Sequence, residues 1–408
     1  HGIIPIQLVC INLYPFEQTI QKKGVPQEEA IEQIDIGGPA MLRSASKNHA
    51  SVCTITSPTQ YDSVINELKK HDGCTGLPLR RGLAAQAFAR TAAYDTAISS
   101  WMTSGGNDRF PPILQVVGRR ERLLRYGENP HQAAAAYQTP GDNSNNILNA
   151  TIHQGKKLSY NNIMDADAAL ACLKEFSSTA CVVVKHASPC GVSIGEDMLD
   201  VYIKAFNADS LSAFGGIIAM NKQCDESVSE EISKVFVEIV LAPSFTKEAL
   251  DIFSKKKNLR VLEIGEITPR QKILEVRNVV GGIIVQETDT SVMTKNELKT
   301  VTKLEPSDTD IETMLFGWKV LKHIKSNGIL IVKDNTTVGV GAGQVSRVDS
   351  VDIAMKKSGD NIHDSILCSD AFFPFRDSID KIANSGIKAV LQPGGSVRDN
   401  EVIEACNE

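Results

Sequence analysis

The chain has 408 residues, 42% of them hydrophobic, and a formal net charge of −6 at pH 7. Because this is too long for one ordinary hydrophobic core, two or three domains are expected. The acidic balance argues against nucleic-acid binding, and no apolar run approaches the roughly 20 residues that a membrane helix requires. A small anionic ligand needs only a local pocket of cations and backbone N–H groups, so that class stays open.

The first hundred residues alternate strand and helix patterns, which predicts an α/β layer with a parallel sheet. The predicted order is strand 5–16, helix 27–35, a break at Gly37-Gly38-Pro39, helix 40–47, strand 50–56, and helices 59–71 and 79–103. Ser-Gly-Gly-Asn-Asp at 104–108, followed by Phe-Pro-Pro at 110–112, is typical of a linker. We therefore predict a domain at 1–108 and a linker at 109–118.

Alternation resumes after the linker with longer periods, which predicts α/β architecture again. The predicted elements are helix 165–176, strand 180–186, helix 198–208, strand 215–220, helix 226–239, and strands 259–264 and 281–285. After a polar connection at 286–308 come helix 310–324, a hairpin of 328–333 and 337–341 joined at Asp334-Asn335, helix 347–357, helix 378–385 and strand 387–391. These elements predict domains at 119–300 and 301–408; the pattern does not decide whether they are two copies of one fold.

The most informative stretch is Val-Val-Val-Lys-His-Ala-Ser-Pro-Cys-Gly at 182–191. Its β-branched residues predict a buried strand that ends in Lys185 and His186 and is stopped by Pro189 and Gly191. A cation and an imidazole at the tip of a buried strand are typical of an α/β enzyme site. On the pattern alone, a strand end whose polar residues merely meet water is the favoured interpretation.

Four other stretches concentrate functional side chains. In the run that begins Arg125-Tyr126, the arginine could bind phosphate and the tyrosine could stack on a ring, and an ordinary turn is the alternative. The Asn pair at 161–162 is more suggestive than the carboxylates at 165 and 167, which a helix dipole would explain. The glycine-rich run at 339–343 fails the dinucleotide pattern because Gln344 replaces the third glycine. The aromatics at 372–375 are either buried anchors or a wall for a planar ligand.

Cysteine usage argues against a metal centre. The nine cysteines contain no Cys-x-x-Cys, so neither a disulfide framework nor a zinc ribbon is expected, and a reducing compartment fits. Pro189-Cys190 superficially matches the zinc deaminases, but the second Cys two residues on is missing and His186 is followed by Ala-Ser. We expect a cytoplasmic protein, and the start at His1 without Met leaves organellar targeting open.

Seven motifs, taken together, resemble the bifunctional family that joins a formyltransferase for aminoimidazole-carboxamide ribotide (AICAR) to IMP cyclohydrolase. They run in the family's order from about residue 5 to residue 408: Asn-Leu-Tyr-Pro-Phe, Gln-Ile-Asp-Ile-Gly-Gly, Lys-Asn-His-Ala, Arg-Tyr-Gly-Glu-Asn-Pro-His-Gln, Lys-His-Ala-Ser-Pro-Cys-Gly, Gly-Ala-Gly-Gln-x-Ser-Arg and Ser-Asp-Ala-Phe-Phe-Pro-Phe-Arg-Asp. The resemblance implies a methylglyoxal-synthase-like first domain, incomplete here, and two cytidine-deaminase-like α/β units without zinc. It also implies a homodimer with the formyltransferase site across the subunit interface, and 10-formyltetrahydrofolate as cosubstrate without a catalytic metal.

The resemblance implies roles for individual residues. His186 would be the general base that takes a proton from the poorly nucleophilic AICAR amine, because imidazoles titrate near neutral pH. Lys185 would stabilise the oxyanion or the leaving folate nitrogen, and Asn327 would form a hydrogen bond at the reaction centre. The implied AICAR contacts are Arg125, Tyr126, Ser212, Phe214, Gly215, Glu238, Phe372 and Asp377. The implied cyclohydrolase residues, which orient the carboxamide and stabilise charge, are Tyr14, Asp35 and Lys47.

Two departures from the family bear on activity. The family's first domain begins before His1, with a phosphate-binding Gly-rich loop and a Lys-Thr-Leu-His-Pro segment, and its chain continues beyond Glu408 to a basic segment. We therefore expect weak cyclohydrolase activity in this chain and an unstable isolated first domain, because missing strands leave an unpaired sheet edge. The alternative is a truncated, noncatalytic ribotide-binding fragment of the same fold.

Overall fold

A computed structural model describes residues 2, 4–103 and 109–408. The predicted linker start at 104–108 lies outside the described residues. The chain divides into two compact units, His1–Arg120 with Tyr137–Asp142 and Glu121–Ala136 with Asn143–Glu408. Each unit is described separately below.

The first unit packs helices against a short parallel strand pair. Its elements are β1 (Leu8–Cys10), α1 (Phe16–Ile20), α2 (Gln27–Glu32), α3 (Gly37–Lys47), β2 (Cys53–Ile55), α4 (Tyr61–Lys70) and α5 (Leu77–Thr103). β1 and β2 are parallel, as predicted. The predicted strand at 5–16 is shorter, because Pro15 precedes a helix that begins at Phe16. The predicted Gly-Gly-Pro break is instead the first turn of α3, where proline is tolerated.

The second unit is built around a ten-stranded sheet. The chain reaches it through β3 (Arg119–Leu123) and β4 (Ala135–Gln138), which form a separate two-stranded sheet. Its elements continue with β5 (Thr151–Gln154), α6 (Tyr160–Leu173), β6 (Thr179–Lys185), β7 (Ser188–Gly195), α7 (Met198–Asn207), α8 (Ser210–Ala213), β8 (Ile217–Met220), α9 (Glu226–Ser233), β9 (Ile239–Ala242), α10 (Lys247–Ser254) and β10 (Arg260–Glu263). The hairpin of β11 (Leu274–Val279) and β12 (Gly282–Glu287) stands apart from the large sheet.

The chain then completes the same sheet from the other side. These elements are α11 (Asp308–Leu321), β13 (Ile329–Lys333), β14 (Thr336–Gly341), α12 (Arg347–Ser358), β15 (Ile366–Ser369), α13 (Asp377–Ile382), β16 (Ala389–Leu391) and α14 (Asp399–Asn407). The strand order is β16-β15-β13-β14-β7-β6-β8-β9-β10-β5. The sheet is mixed, with parallel pairs β8–β9, β9–β10 and β15–β16.

The sheet consists of two halves with the same topology. The first half runs β7-β6-β8-β9 and the second runs β14-β13-β15-β16, and each pairs antiparallel, antiparallel and then parallel. The halves meet where β7 and β14 pair in antiparallel fashion, at Ser193 and Thr336. Both hairpins also carry the same bulge, one residue before Gly191 and one before Gly339. Corresponding residues lie 148 positions apart, as Lys185 and Lys333 do.

Burial of the sheet on both faces explains the continuous apolar run of β6. Ala180, Val182 and Val184 pack into one core cluster, whereas Cys181 and Val183 pack into another on the opposite face. Alternate side chains of a strand point to opposite faces, so a strand covered on both sides needs apolar residues at every position.

Several predicted boundaries are wrong in this unit. The predicted helix at 165–176 begins at Tyr160 and ends at Leu173. Pro189 and Gly191 do not end the strand pattern, because both lie within β7, which folds back on β6. The predicted helix at 226–239 ends at Ser233, and its last residue, Ile239, begins the buried strand β9.

Candidate active site

One edge of the ten-stranded sheet gathers the polar strand ends of both halves; we call it the His186 edge. The first half brings there the β6–β7 turn and the residues that precede β8 and β9, including Gly215 and Glu238. The second half brings Asn327, two residues before β13, to the same edge. The segments after β14 and β15 also lie there, because Ile329 at the start of β13 pairs with Gly341 and Ser369 at the ends of those strands. Strand ends at a meeting point of two half-sheets are a common location for ligand sites.

His186 lies at the tip of the β6–β7 hairpin. Only His186 and Ala187 separate the paired residues Lys185 and Ser188, and both have positive φ, +52° and +54°. Two-residue loops with positive φ at both positions match the twist of the flanking strands. The backbone N–H of Ala187 donates to the Asp165 carboxylate on α6, at 2.7 Å. The tip is therefore held from outside the hairpin.

Burial raises the pKa of the Asp165 carboxyl. The hydrogen bond from Ala187 and the positive charges of His186 and Lys185 oppose this effect, and the negative charge of Glu238 adds to it. The earlier explanation of this carboxylate by the helix dipole is wrong, because α6 begins at Tyr160 and Asp165 lies beyond its first turn.

Lys185 is anchored to the turn that precedes β8. Its Nζ donates to the carbonyl oxygens of Phe214 and Gly215, at 3.1 and 2.7 Å. An ammonium has three hydrogens, so one remains for a ligand. The turn is itself fixed, because Gly215 has φ +67° and its N–H donates to the carbonyl of Phe236. Lys185, Phe214 and Gly215 thus form one connected group.

Glu238 lies beside this group and is paired with a buried cation. Its Oε2 is 2.6 Å from Nη1 of Arg260, whose side chain is 8% exposed, and Arg260 Nε donates to the Lys156 carbonyl. Ser212 is in the short helix α8, where its N–H is accepted by Asp209, at 3.0 Å.

Asn327 is the centre of a hydrogen-bonded cluster in the second half. Its Nδ2 donates to the carbonyls of Gln344 and Val345, both at 3.0 Å, and its Oδ1 accepts from Arg347 Nη2 at 2.7 Å. These partners fix the amide orientation and use both of its hydrogens. The amide can offer a ligand only the second lone pair of Oδ1, so Asn327 acts as an acceptor.

Arg347 connects this amide to Asp370. Its Nη1 donates to Asp370 Oδ1 at 2.5 Å and to Ser369 Oγ at 2.9 Å. Asp370 Oδ2 also accepts the N–H of Gly328. Burial would raise the pKa of Asp370, but hydrogen bonds from Arg347, Ser326 and Gly328 outweigh it and hold that pKa below its usual range.

Phe372 and Asp377 are in the segment that follows β15. Phe372 is 39% exposed, whereas its neighbour Phe373 is fully buried in a core cluster. The aromatic run therefore combines both interpretations, since one ring anchors the loop and another faces outward. Asp377 is exposed and begins α13, where its Oδ1 accepts the N–H of Ser378.

Arg125 and Tyr126 begin a compact loop. Gln132 closes this loop, since its carbonyl accepts from Gly127 and its side chain accepts from Asn129. The Arg125 guanidinium lies 5.5 Å from the centre of the Tyr126 ring. A cavity of about 480 Å³ is lined by Leu123, Leu124, Arg125, Lys156 and Lys157.

The Asn pair at 161–162 supports this part of the structure. Asn161 Nδ2 donates to the carbonyl of Glu128 in the Arg125 loop, at 3.2 Å. Asn162 is buried and forms a reciprocal capping box with Ser159 at the start of α6. Such caps satisfy backbone groups that the helix itself leaves unpaired. The Asn pair, which the sequence marked as the more suggestive feature, therefore supports the local structure. Asp165 is the residue of this stretch that contacts the hairpin tip.

In the first unit, Tyr14 and Asp35 are brought together and Lys47 is not. Asp35 accepts hydrogen bonds from the N–H groups of Tyr14 and Gly38, at 3.3 and 2.7 Å. The buried Tyr94 hydroxyl accepts from Asp35 N–H and donates to a carbonyl. Lys47 is exposed at the far end of α3, about 15 Å along the helix axis.

The residues that sequence reasoning left out of the site are Asp165, Arg260, Arg347 and Asp370. Arg347 and Asp370 stand in two of the motifs without a predicted role, whereas Asp165 and Arg260 each act through a partner 22 positions away, which a local motif does not reveal. Conversely, burial raises the pKa of the Cys190 thiol to about 12, so this neighbour of the hairpin tip is not a nucleophile. Among residues 2, 4–103 and 109–408, no group of three or more His, Cys, Asp and Glu is arranged to hold a metal ion.

Comparison with known proteins identifies the family of the chain. The family described as the AICARFT/IMPCHase bienzyme matches residues 45–357. The chain belongs to the AICARFT/IMPCHase family. Relatives called bifunctional purine biosynthesis protein PurH are 48% identical in Magnetococcus marinus, 49% in Persephonella marina and 46% in Bacillus subtilis. Each alignment covers all of this chain and 80% of the relative.

A solved structure, the crystal structure of ForH, overlaps a smaller part of this AICARFT/IMPCHase member. It is 34% identical over 26% of this chain and 55% of its own, with a TM-score of 0.22. In the part of the chain that the structure describes, every helix is too short or too polar to cross a membrane.

Proposed function

We propose that the His186 edge transfers the formyl group of 10-formyltetrahydrofolate to the amine of AICAR. As a member of the AICARFT/IMPCHase family, the chain is an enzyme of purine biosynthesis with formyltransferase and IMP cyclohydrolase activities. The observation that carries the site assignment is the placement of Lys185 and His186 at a rigid hairpin tip, on the edge that also holds Asn327.

The reaction requires a proton to leave a weak nucleophile while a bond forms. The amine nitrogen attacks the formyl carbon, and His186 takes the proton that the amine loses. The carbonyl oxygen becomes an oxyanion in the tetrahedral intermediate, toward which the remaining hydrogen of Lys185 can donate. The bond from carbon to the folate N10 then breaks, and the proton on His186 is returned to that nitrogen. Formyl-AICAR and tetrahydrofolate result.

Asn327 has a defined chemical role in this scheme. Both amide hydrogens of Asn327 are donated to the carbonyls of Gln344 and Val345. The side chain can therefore offer a ligand only its Oδ1, which accepts a hydrogen bond. The AICAR amine is a donor before it attacks, so a hydrogen bond to Asn327 Oδ1 would orient it. Arg347, which also donates to that oxygen, fixes the position of the acceptor.

The remaining residues bind substrate. Arg125, Lys156 and Lys157 around the 480 Å³ cavity supply the positive charge that a ribotide phosphate requires. Tyr126, Ser212, Phe214, Gly215 and Glu238 are assigned to AICAR, and Phe372 and Asp377 to the segment beside AICAR and folate. No metal is assigned a role.

The second reaction, closure of formyl-AICAR to IMP, is assigned to the first unit. There the carboxamide nitrogen attacks the formyl group of the same molecule and water is lost, so proximity supplies much of the rate. Tyr14 and Asp35, which the structure brings together, are assigned to orient the carboxamide. Lys47 is assigned to stabilise charge, although it lies at the other end of α3.

Three further assignments rest on the family resemblance. The first unit is proposed to be methylglyoxal-synthase-like, and the two half-sheets to be cytidine-deaminase-like without zinc, in domains 1–108, 119–300 and 301–408. The enzyme is proposed to be a cytoplasmic homodimer that shares its formyltransferase site between subunits. AICAR and folate are its partners, with neither nucleic acid nor membrane.

Turnover by this exact chain tests the proposal. AICAR and 10-formyltetrahydrofolate are supplied, and formyl-AICAR and IMP are separated by chromatography. Both products would establish the two activities, whereas formyl-AICAR alone would confine activity to the His186 edge. Binding of AICAR without either product would favour the noncatalytic fragment, which the 46–49% identity to PurH relatives argues against. No binding at all would overturn the assignment.

A further inference from the structure

The hairpin tip that carries His186 is made of residues that do not favour its conformation. Both tip residues adopt positive φ, yet neither histidine nor alanine is the glycine or asparagine that such loops usually contain. The corresponding hairpin in the second half has Asp334 and Asn335 at its tip, with φ +47° and +59°. Asn and Asp tolerate the left-handed region because their side chains bond to nearby backbone.

The two hairpins also differ in external support. Ala187 N–H donates to Asp165 Oδ1 at 2.7 Å, across 22 residues of sequence. In the second half, the residue 148 positions after Asp165 is Thr313, whose hydroxyl donates to Thr309 within its own helix. The second tip is held through backbone, because the Asn335 carbonyl accepts the N–H of Ile194 on β7 at 3.1 Å. The tip that carries the imidazole is instead held by a side-chain carboxylate, which also brings a charge.

We infer that Asp165 is a positioning residue for His186: its carboxylate fixes the hairpin tip through Ala187 and places a negative charge beside the imidazole. The inference rests on the proposed formyl transfer. A fixed tip aims the imidazole at the bound amine, and the carboxylate stabilises the imidazolium that forms when the proton moves. The charged groups that face Asp165 are Lys185 and His186 from the hairpin and Glu238 from the segment before β9.

Two substitutions separate the two effects. Asp165→Asn keeps an oxygen that can accept from Ala187 but removes the charge, whereas Asp165→Ala removes both. We expect Asp165→Ala to lower kcat for formyl transfer about 100-fold with KM for AICAR nearly unchanged, as misplaced catalytic groups do. Asp165→Asn should lose less activity, because its amide oxygen can still accept the N–H of Ala187.

A rescue and a control keep the test sharp. Adding Ala187→Gly to Asp165→Ala should restore part of kcat, because glycine adopts positive φ without the external bond. Asp167→Asn, two residues along the same helix, should keep wild-type kcat, because the charges that face Asp167 are Arg270, Lys174 and Glu275 and not those of the hairpin. Melting temperature and AICAR affinity are measured for every variant. If Asp165→Ala does not fold, kcat and KM of Asp165→Asn decide.

The outcomes separate this inference from the proposed function. Failure of the wild-type chain to formylate AICAR would overturn the proposed function itself. With an active wild type, unchanged kcat in Asp165→Ala would overturn the positioning role alone. A fall in kcat that only follows thermal stability, and that Ala187→Gly does not rescue, would make Asp165 purely structural.

Discussion

The two halves of the ten-stranded sheet share their scaffold bonds but not their chemistry. In the first half Lys185 donates to the carbonyl of Gly215, and in the second Lys333 donates to that of His363, 148 positions later in both donor and acceptor. Likewise Asn221 Oδ1 accepts the N–H of Ala180 in β6, and Asp370 Oδ2 accepts the N–H of Gly328 just before β13. The bonds that hold each hairpin are therefore properties of the fold.

The groups able to move protons or bind anions are what differ. His186 corresponds to Asp334 in position. The two hairpins point to opposite edges of the sheet, because the halves are joined by the antiparallel pair of β7 and β14. At the opposite edge, Asn221 replaces the carboxylate of Asp370 and donates to the carbonyls of Phe176 and Ser178. A scaffold position that both halves share therefore becomes functional only through the side chains around it.

The largest effect is expected from removing the imidazole while keeping the hairpin. His186→Asn retains a residue that tolerates positive φ but cannot act as a base at neutral pH. Formyl transfer should fall by at least about 100-fold, the usual contribution of general base catalysis. The matched change in the second half, Asp334→Asn, should leave turnover intact. Equal losses in a steady-state assay of the two variants would mean that the halves are not functionally distinct.

In each half a helix packs closely against a glycine of the hairpin. A side chain added at that glycine should therefore destabilise both halves to a similar extent. A Cβ at Gly191 would lie 1.9 Å from the Ala205 carbonyl oxygen, and one at Gly339 would lie 2.2 Å from that of Ala354. Because both obstacles are backbone atoms, Gly191→Ala and Gly339→Ala should each lower the free energy of unfolding by about 3 kcal/mol. Gly282→Ala, which meets open space, is the control in urea titrations. Wild-type midpoints in the first two would contradict the shared packing.

An ion-pair cluster that joins the halves should make stability depend on acid pH. Glu175 bonds to Lys322 and His323 at 2.9 and 3.2 Å, and the three side chains are only 7–12% exposed. Burial would raise the pKa of Glu175, but these partners hold it below its ordinary 4.5. A lowered folded pKa gives stability that is full above the unfolded value and lost as pH falls through the folded one.

Glu175→Gln should therefore cost about 2 kcal/mol near pH 7, since it leaves the Lys322 ammonium without its carboxylate. The difference from wild type should begin to narrow below about pH 4.5, where the carboxylate of the unfolded chain is protonated, and should be lost as pH falls through the lower folded-state pKa. Urea midpoints measured across this range provide the check. A difference that stays constant with pH would exclude the ion pair as its cause.

The smallest effect concerns the hairpin tips themselves. Ala187→Gly should stabilise the second unit by about 1 kcal/mol, because it removes the cost of alanine in the left-handed region. Asn335→Gly should change stability little, since asparagine already tolerates its φ of +59°. If thermal melts show equal changes in stability for Ala187→Gly and Asn335→Gly, the hydrogen bond to Asp165 has already removed the strain at Ala187.

Much of the secondary structure could be predicted because its signals are local. The Asp334-Asn335 turn and the helix at 347–357 follow from residue types that favour them, and both are confirmed. The strand β7 could not be predicted, because Pro189 and Gly191 ordinarily interrupt strands. Here both belong to a bulged hairpin strand, in which the glycine accommodates the approach of α7. The start of β9 was hidden because Ile239 continues the apolar period of the preceding helix.

The site could be predicted only as far as its motifs carried the chemistry. Lys185 and His186 stand in such a motif, and the structure places both at the tip. Asp165, by contrast, has no local signature, since its role depends on a residue 22 positions later. The duplication of the sheet was equally invisible, because identical residues such as Lys185 and Lys333 are interspersed with equivalent positions that differ, such as His186 and Asp334.

The joint between β7 and β14 has a consequence for the history of the chain. Two copies of a single half, paired across the same strand, would form a symmetric dimer with two identical edges. Any substitution at one edge of such an assembly would be repeated at the other. Once the halves are continuous, as they are through the segment after β12, each copy can diverge by itself. The asymmetry between His186 and Asp334 is what gene duplication followed by fusion makes available.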